Sequence, residues 1–522
     1  MTAAAHTGAP VQAPPQGFLR AEGTHLVDDA GLRLPRGVGL GNWLLPEGYM
    51  WLFGDDAASP RAIEALFARL AGDDYASHFW DEYRRRYITE ADISRIAALG
   101  FDHVRVPINA RVIQGADGDP LSAGYALLDD VVRWSERHGI RVLLDLHGAP
   151  GGQTGTNIDD SARGRPDLFL DPHNLELTER LWSDLATHFA GNHTVMGYDL
   201  LNEPLPEGWR SLTPDLVALY RRLTSAIRAV DDDHLIMYEG THWATDFSAF
   251  DERWDDNQAL QFHRYWSRPD REGIAAHLAL RDDLQVPLYM GEGGENTPEW
   301  IYTSMRLYEA EGIGWNLWPW KKLATRTSPV SIAPPEGWEL IRTAAQGGPH
   351  PPRDEAQAIL DGLLDAVALE SAHEVPEVID AALGASPSTV PAWGFGFHGE
   401  GSSYGAAGTS RITTFREGDA VAVVHAQRGA QVPNPFQQTD GRHYRPDEVL
   451  VVELPPGGWL EYEFTDPEAR AAEWTAVDEE QRPVSVDVTP SARGIRVEAT
   501  GSGARFAALV RHGGAVQTRM EA

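Results

Sequence analysis

Short, nearly continuous apolar runs recur along the first part of this chain. Longer stretches between them place apolar residues every three or four positions. The short runs fall at residues 38–45, 101–106, 140–146, 195–201, 234–238, 259–262, 286–290 and 312–317. Stretches 90–99, 125–138, 175–190 and 213–230 carry the helical spacing. A run that is apolar on both faces suits a strand buried on both sides of a parallel sheet, and the helical stretches suit the crossovers between such strands. Strands in that number, each followed by a helix or a long loop, predict an α/β fold with a closed (β/α)8 TIM barrel rather than an open sheet. Ahead of the first strand, residues 19–34 read as a β-hairpin turning at Asp28-Asp29-Ala30-Gly31.

The alternation stops near residue 345. Residues 355–369 and 377–383 predict trailing helices. Short strands with turns follow, at 411–415, 420–424, 448–452, 459–464, 494–497 and 506–510. That pattern predicts an all-β, sandwich-like domain. The expected organisation is therefore a disordered leader at 1–17, a barrel with its hairpin and trailing helices at 18–385, and an accessory β-domain at 386–522.

Composition narrows the functions. The chain has 522 residues and is 42% hydrophobic, enough for a large core. Its 77 acidic and 44 basic residues give a formal net charge of -33, which repels nucleic acid and anionic membranes alike; neither is an expected partner. Cysteine is absent, so disulfides and thiolate metal sites are excluded. No window approaches the roughly 18 apolar residues of a membrane-spanning helix. The first residues lack the basic and apolar regions of a signal peptide, so a cytoplasmic location is expected, with secretion by another route left open. Seventeen tryptophans matter because flat apolar rings stack on the C–H faces of sugars.

The chemistry is read from the C-terminal tips of the strands, where α/β barrels carry their sites. Those tips present Asn42, Trp43 and Glu47; Arg105 and Asn109; Asp145 and His147; Asn202 and Glu203; Glu239 with His242 and Trp243; His263 and Tyr265; Glu292; and Trp318, Trp320 and Lys321. Glu203 and Glu292 end the fourth and seventh strands, across the barrel mouth from each other. Glycoside hydrolysis needs such a pair, one acid for the leaving oxygen and one carboxylate to attack or to activate water. Asn202 is placed to bind a sugar hydroxyl. His263 and Tyr265 are placed to position the carboxylates, and Arg105 to keep Glu292 ionised. Trp318 suits the floor under the reacting sugar, while Trp320 suits packing. Gly291 and Gly293 leave room beside Glu292 for a close ligand. Glu239, Trp243 and Glu295 are candidates for outer sugar subsites. Two histidines with Asp145 also fit a metal-dependent hydrolase, but further ligands at suitable spacing are missing, and no metal or organic cofactor is expected.

Arg36-Gly37-Val38-Gly39-Leu40-Gly41-Asn42-Trp43, Gly100-Phe101-Asp102-His103-Val104-Arg105-Val106-Pro107, Asp145-Leu146-His147-Gly148-Ala149-Pro150-Gly151, Leu201-Asn202-Glu203-Pro204, His263-Arg264-Tyr265, Gly291-Glu292 and the Trp315 to Lys321 segment occur in this order. Together they resemble glycoside hydrolase family 5, the cellulase family of clan A, and within it the exo-β-1,3-glucanase-like branch. The resemblance covers about residues 18–345. It implies a retaining mechanism with Glu203 as acid/base and Glu292 as nucleophile. It places Arg105, His147, Asn202, His263, Tyr265 and Trp318 on active-site positions, and Glu47 on a glutamate that holds distal hydroxyls of the terminal glucose. Asn42 in place of a glycine, Pro46 before Glu47 and a longer loop at 156–160 depart from the pattern beside the substrate. The resulting expectation is a β-glucosidase acting from chain ends on short substrates. The alternatives are a β-mannosidase, a hydrolase of glucosides with lipid or other aglycones, and a catalytically silent carbohydrate-binding barrel. The β-domain run Gly458-Trp459-Leu460-Glu461-Tyr462-Glu463-Phe464 is faintly similar to carbohydrate-binding sandwiches, though a cover for the barrel flank or a subunit contact is the simpler reading.

Overall fold

The structure, a computed structural model, describes residues 15–54, 58–405, 408 and 414–512. Eight parallel strands close into a barrel: β1 (Arg36–Gly39), β2 (His103–Asn109), β3 (Arg141–Gly148), β4 (Val195–Asp199), β5 (Leu235–Glu239), β6 (Gln258–Tyr265), β7 (Leu288–Gly294) and β8 (Gly314–Trp318). They pair in chain order, and β8 closes on β1. The expected barrel is present. Several strands end later than their apolar runs, because polar residues at the tips still belong to the ladder. Thus β3 runs on to Gly148, β6 to Tyr265 and β7 to Gly294.

Side chains alternate along each strand, and that alternation stacks the barrel interior in layers. Leu143, Leu235, Met237, Ala259 and Tyr289 share a buried apolar cluster at the N-terminal end. Two or four residues further along the same strands stand Asp145, His147, Glu239, Gln261 and His263, all buried. One end of the barrel is therefore oil and the other is a polar mouth.

The apolar end is covered by residues 20–33. These form a three-stranded antiparallel sheet, Arg20–Glu22, His25–Asp28 and Gly31–Arg33, rather than the expected two-stranded hairpin. The additional strand arises at Gly23, whose φ of +57° turns the chain tightly where most side chains are strained. Leu26 of this segment and Leu19 just ahead of it join the apolar cluster.

Between β1 and β2 the helices Pro60–Ala71 and Asp73–Tyr87 precede Glu90–Leu99. Their Phe67, Phe79, Trp80 and Tyr83 pack around Trp51 in an aromatic wedge against the barrel wall. Helix Glu90–Leu99 opens with a Thr89/Asp92 capping box. Asp92 also accepts from Trp320 Nε1 at 3.0 Å and Lys321 Nζ at 2.8 Å. Lys321 is thus a buried structural cation, pointing away from the mouth.

After the barrel come the helices Arg353–Ala366 and Pro376–Leu383. Three antiparallel sheets follow, with four, four and three strands, including Trp459–Glu463, Gly494–Ala499 and Leu450–Leu454. The C-terminal region is all-β, as the turn-punctuated pattern implied. Residues 1–14 of the expected leader and 411–413 of an expected strand lie outside the described residues. Among the described residues no helix is long and apolar enough to cross a membrane.

The β-region packs onto the barrel through polar as well as apolar contacts. Arg416, 1% exposed, donates to the carbonyls of Trp393, Phe395 and Gly396, and its amide donates to Asp270 beside the barrel. Tyr302, on a barrel helix, donates to the Glu463 carbonyl at 2.9 Å.

Candidate active site

The polar mouth is organised by one guanidinium. Arg105 points inward from β2 and is fully buried. Its Nε donates to Asp199 at 2.9 Å, Nη1 to Glu292 at 2.6 Å, and Nη2 to Asn202 at 2.9 Å and Glu239 at 3.1 Å. Asp145 lies 3.1 Å from Nη2. A planar fork with five donors can serve this many acceptors; a lysine ammonium cannot. Burial alone would push Arg105 down, but its carboxylate neighbours more than offset that and hold it well above its ordinary value. Asp145 and Asp199, by contrast, are pushed up by burial.

Glu292 owes its aim to a bulge. On the β6 side, Met290 pairs with Phe262 but Glu292 pairs with His263, so Gly291 is an extra residue in β7. A Cβ at Gly291 would sit 2.1 Å from Gln261 Cδ, and one at Gly293 would sit 2.6 Å from the Arg264 carbonyl. These glycines make room for the neighbouring strand, not for a ligand as the sequence suggested. The bulge turns Glu292 into the mouth, where Tyr265 donates to one carboxylate oxygen at 2.7 Å and Arg105 to the other.

Glu203 reaches the same space from beyond β4. Its backbone lies in the left-handed region at φ +44°, and Leu205 follows at +54°. A non-glycine residue is held there only by surrounding structure. The hold is visible: the Glu203 amide donates to Glu239 at 2.6 Å, and Gln153 Nε2 donates to the Asn202 carbonyl at 2.9 Å. His263 Nδ1 stands 2.8 Å from Glu203 Oε1. Carboxylate oxygens of Glu203 and Glu292 and a ring nitrogen of His263 all lie within 4.8 Å of one another. That spacing would also suit a cation, but Tyr265 and Arg105 already engage both oxygens of Glu292.

The two histidines are held in opposite states. Burial would lower His263, but Glu239, Glu292 and Glu203 outweigh it and raise it well above its ordinary value. His147 is lowered to about 4, chiefly by burial. It stays neutral near pH 7, with Nδ1 2.7 Å from Asp145 and Nε2 3.3 Å from Asn202 Nδ2. Glu239 is pushed up by burial, yet His263, Arg105 and the Glu203 amide together hold it below the ordinary carboxylate value.

Trp318 forms one wall. It is 2% exposed, and its ring stacks on His147 with centroids 5.6 Å apart and planes 5° from parallel. A Cβ at Gly39 or Gly41 would come 2.6 Å from the indole, which accounts for the glycine-rich run along β1. Trp318 Nε1 donates to Tyr49 at 2.9 Å. Glu47 lies close by, 3% exposed and pushed well up by burial and by Glu292, Glu295 and Glu203. The turn that delivers it starts at Asn42, whose φ of +69° is tolerated by asparagine nearly as by glycine. That explains how Asn42 can stand in a glycine's place.

All nine predicted residues — Glu47, Arg105, His147, Asn202, Glu203, His263, Tyr265, Glu292 and Trp318 — are brought to this mouth. Seven of them line a cavity of 810 Å³, while Arg105 and Asn202 lie beneath it. Glu239 does not reach an outer subsite. It is fully buried beneath Glu203, because β5 runs on to include it as its last ladder residue. Glu295 pairs with Lys322, and Lys322 lies over the Tyr49 ring with Nζ 5.2 Å from its centroid. Sequence reasoning passed over Asp199, Gln261, Tyr49 and Lys322. The inward register with Arg105 would have signalled Asp199 and Gln261, whereas nothing local marks Tyr49 or Lys322.

The model of the cellulase family, glycosyl hydrolase family 5, matches residues 70–323. A beta-xylosidase of Phanerodontia chrysosporium is 32% identical over 256 residues, which is 48% of this chain and 52% of that protein. A probable glucan 1,3-beta-glucosidase A of Aspergillus niger is 32% identical over 297 residues, covering 54% of this chain and 70% of the relative. The chain thus spans about half the length of the first of these relatives. A crystal structure of endogalactoceramidase superposes with a TM-score of 0.48 at 15% identity, over 95% of this chain and 100% of that one.

Proposed function

Since the chain belongs to glycosyl hydrolase family 5, we propose that it is a retaining β-glycosidase acting on the end of short oligosaccharides or glucosides. One observation carries this reading, the close approach of the pair: one carboxylate oxygen of Glu203 lies within 4.8 Å of one of Glu292. Retaining enzymes keep the two carboxyl groups about 5–5.5 Å apart, whereas inverting enzymes need about 6.5–9.5 Å to seat a water between them.

In this reading a Glu292 oxygen attacks the anomeric carbon as the bond to the leaving oxygen breaks. Glu203 gives its proton to that oxygen. Water then surrenders a proton to Glu203 and attacks the same carbon, and Glu292 leaves. Arg105 and Tyr265 each donate to one Glu292 oxygen and so keep it aimed. His263 Nδ1 stands in hydrogen-bonding reach of Glu203 at 2.8 Å and orients it. Arg105 occupies Asn202 Oδ1 and His147 Nε2 lies 3.3 Å from Nδ2, which leaves the second Nδ2 N–H to meet a substrate hydroxyl. Trp318 gives the sugar ring an apolar face. On the leaving-group side the cavity is lined by Ile158, Trp243 and Thr245 next to Glu203. That partly apolar surface favours glucosides or mannosides carrying an apolar aglycone as a second substrate reading.

A panel of 4-methylumbelliferyl β-glycosides tests the proposal, and at least one member should turn over. Glu292→Ala should abolish that turnover, with azide restoring it and giving the glycosyl azide of inverted configuration. A silent panel would favour a carbohydrate-binding barrel, and no azide rescue would remove Glu292 from the nucleophile's role.

A further inference from the structure

The cavity has a wall that the barrel does not supply. Thr439 and Asp440, from the all-β region, line its mouth together with Thr325, Arg326 and Thr327 of the segment after β8. The turn that carries them is built into place. Gly441 donates to the Gln438 carbonyl at 3.0 Å, and Gln438, fully buried, donates to the Pro435 carbonyl at 2.6 Å. Arg442 Nη1 and Nη2 donate to Glu448 at 2.8 and 2.9 Å, and the Arg445 amide donates to the same carboxylate at 2.9 Å. Phe436 anchors the turn among Trp393 and Phe415.

The same segment docks on three successive rim loops. Asn434 Nδ2 donates to the Trp266 carbonyl after β6 at 2.8 Å. Asn296 Nδ2, after β7, donates to the Phe436 carbonyl at 2.8 Å, and the Thr297 and Tyr444 hydroxyls meet at 3.1 Å. After β8, a Cβ at Gly441 would come 2.8 Å from Thr327 Cγ2, which shows how closely the turn lies on that loop. Between these docking points sit Glu295 and Lys322, whose ion pair borders the cavity.

Position around the barrel says which end of the substrate meets this wall. Glu203, Ile158, Trp243 and Thr245 follow β3, β4 and β5. Glu203 faces the leaving oxygen, so the leaving group exits through that sector. Glu295, Lys322, Glu47 and Tyr49 follow β7, β8 and β1 on the far side, and Trp318 ends β8 there. Their buried carboxylate and indole and half-buried phenol suit the hydroxyls and face of one sugar. The wall stands behind that group.

We propose that the 434–444 segment of the β-region closes the glycone end of the cavity, so that the β-region restricts the enzyme to a single terminal sugar. This rests on the retaining-hydrolase reading above. A second sugar linked to the first would have to occupy the space held by Thr439 and Asp440.

The test compares the 4-methylumbelliferyl monoside that the native chain turns over with its β-1,3- and β-1,4-linked disaccharide counterparts. Initial products are resolved by chromatography, so that a disaccharide released whole is distinguished from stepwise removal of single sugars. The native chain should remove one sugar at a time and release the whole disaccharide at least about 100-fold more slowly than the monosaccharide. Thr439→Gly/Asp440→Gly should raise that disaccharide-to-monosaccharide ratio at least about tenfold. Should the double variant fail to fold, the native product pattern decides alone. Whole-disaccharide release by the native chain at a rate near that of the monosaccharide overturns the wall, as does an unchanged ratio in a folded variant. Both leave the hydrolase reading standing if Glu292→Ala still shows azide rescue. No turnover of any glycoside overturns both.

Discussion

Replacing Arg105 with methionine keeps the unbranched stem and removes the charge. Its consequence follows from what surrounds it. Asp145, Asp199, Glu239 and Glu292 all stand within 3.1 Å of the guanidinium, and the first three are fully buried. Removing one partner of a buried ion pair costs about 3–5 kcal/mol, because the orphaned charge keeps its desolvation cost. Here the orphans are several, and they will relieve themselves by taking up protons, each unit of pKa shift being worth about 1.36 kcal/mol. The native state of the variant then binds more protons than the unfolded chain, so its stability falls as pH rises. Arg105→Met is expected to be about 3–5 kcal/mol less stable than the native chain at pH 7, with the deficit shrinking towards pH 5. Urea unfolding followed by tryptophan fluorescence at both pH values measures this. Activity should fall at least about 100-fold, since a Glu292 that has lost its Arg105 contact is displaced and no longer attacks. Arg105→Lys should recover part of the stability and little of the activity, because one ammonium cannot satisfy acceptors spread around a planar fork. A methionine variant equally stable at pH 5 and pH 7, or one with native activity, would refute the idea that one cation holds the site together.

Gly291→Ala should cost about 1–3 kcal/mol from overpacking, because the new methyl meets Gln261, which itself holds Asp199 and Glu239 at 2.7 and 2.6 Å. It should also slow turnover about 100-fold by displacing Glu292. Gln261→Ala added to it should restore packing more than activity, and a single variant with native stability would mean the bulge is not tight. His263 is raised by Glu239, Glu292 and Glu203 against the effect of burial. The stability it contributes is therefore complete below its ordinary value of about 6.5 and is lost as pH climbs through the raised value. Unfolding midpoints of the native chain should decline on the alkaline side, and His263→Gln should flatten that decline; a slope identical in both would place the titration elsewhere.

Much of the barrel was legible because strands buried on both faces need continuous apolar runs and the crossovers between them need helical spacing. Glu203, Glu292 and Arg105 were legible because polar groups at the tips of apolar strands have no packing reason to be there. Glu239 shows where that logic stopped. Its position beyond an apolar run looked like a rim position, but the strand ends one residue later than its apolar residues, which puts the carboxylate inside the ladder. Gly291 shows the same limit: a glycine beside a carboxylate reads as space for a ligand until the neighbouring strand's Gln261 is seen filling that space.

By itself the order of apolar and polar residues determined the strand number, the polar mouth and the pair of carboxylates in it, since these depend on periodicity and composition along one stretch at a time. Tertiary structure alone decided the four-carboxylate shell around Arg105, the opposite protonation of His147 and His263, and the Thr439–Asp440 wall. Each is a sum of contacts between segments far apart in the chain. Charge, burial and steric exclusion act through space at a few ångströms, and no local pattern encodes which distant residues will be that near.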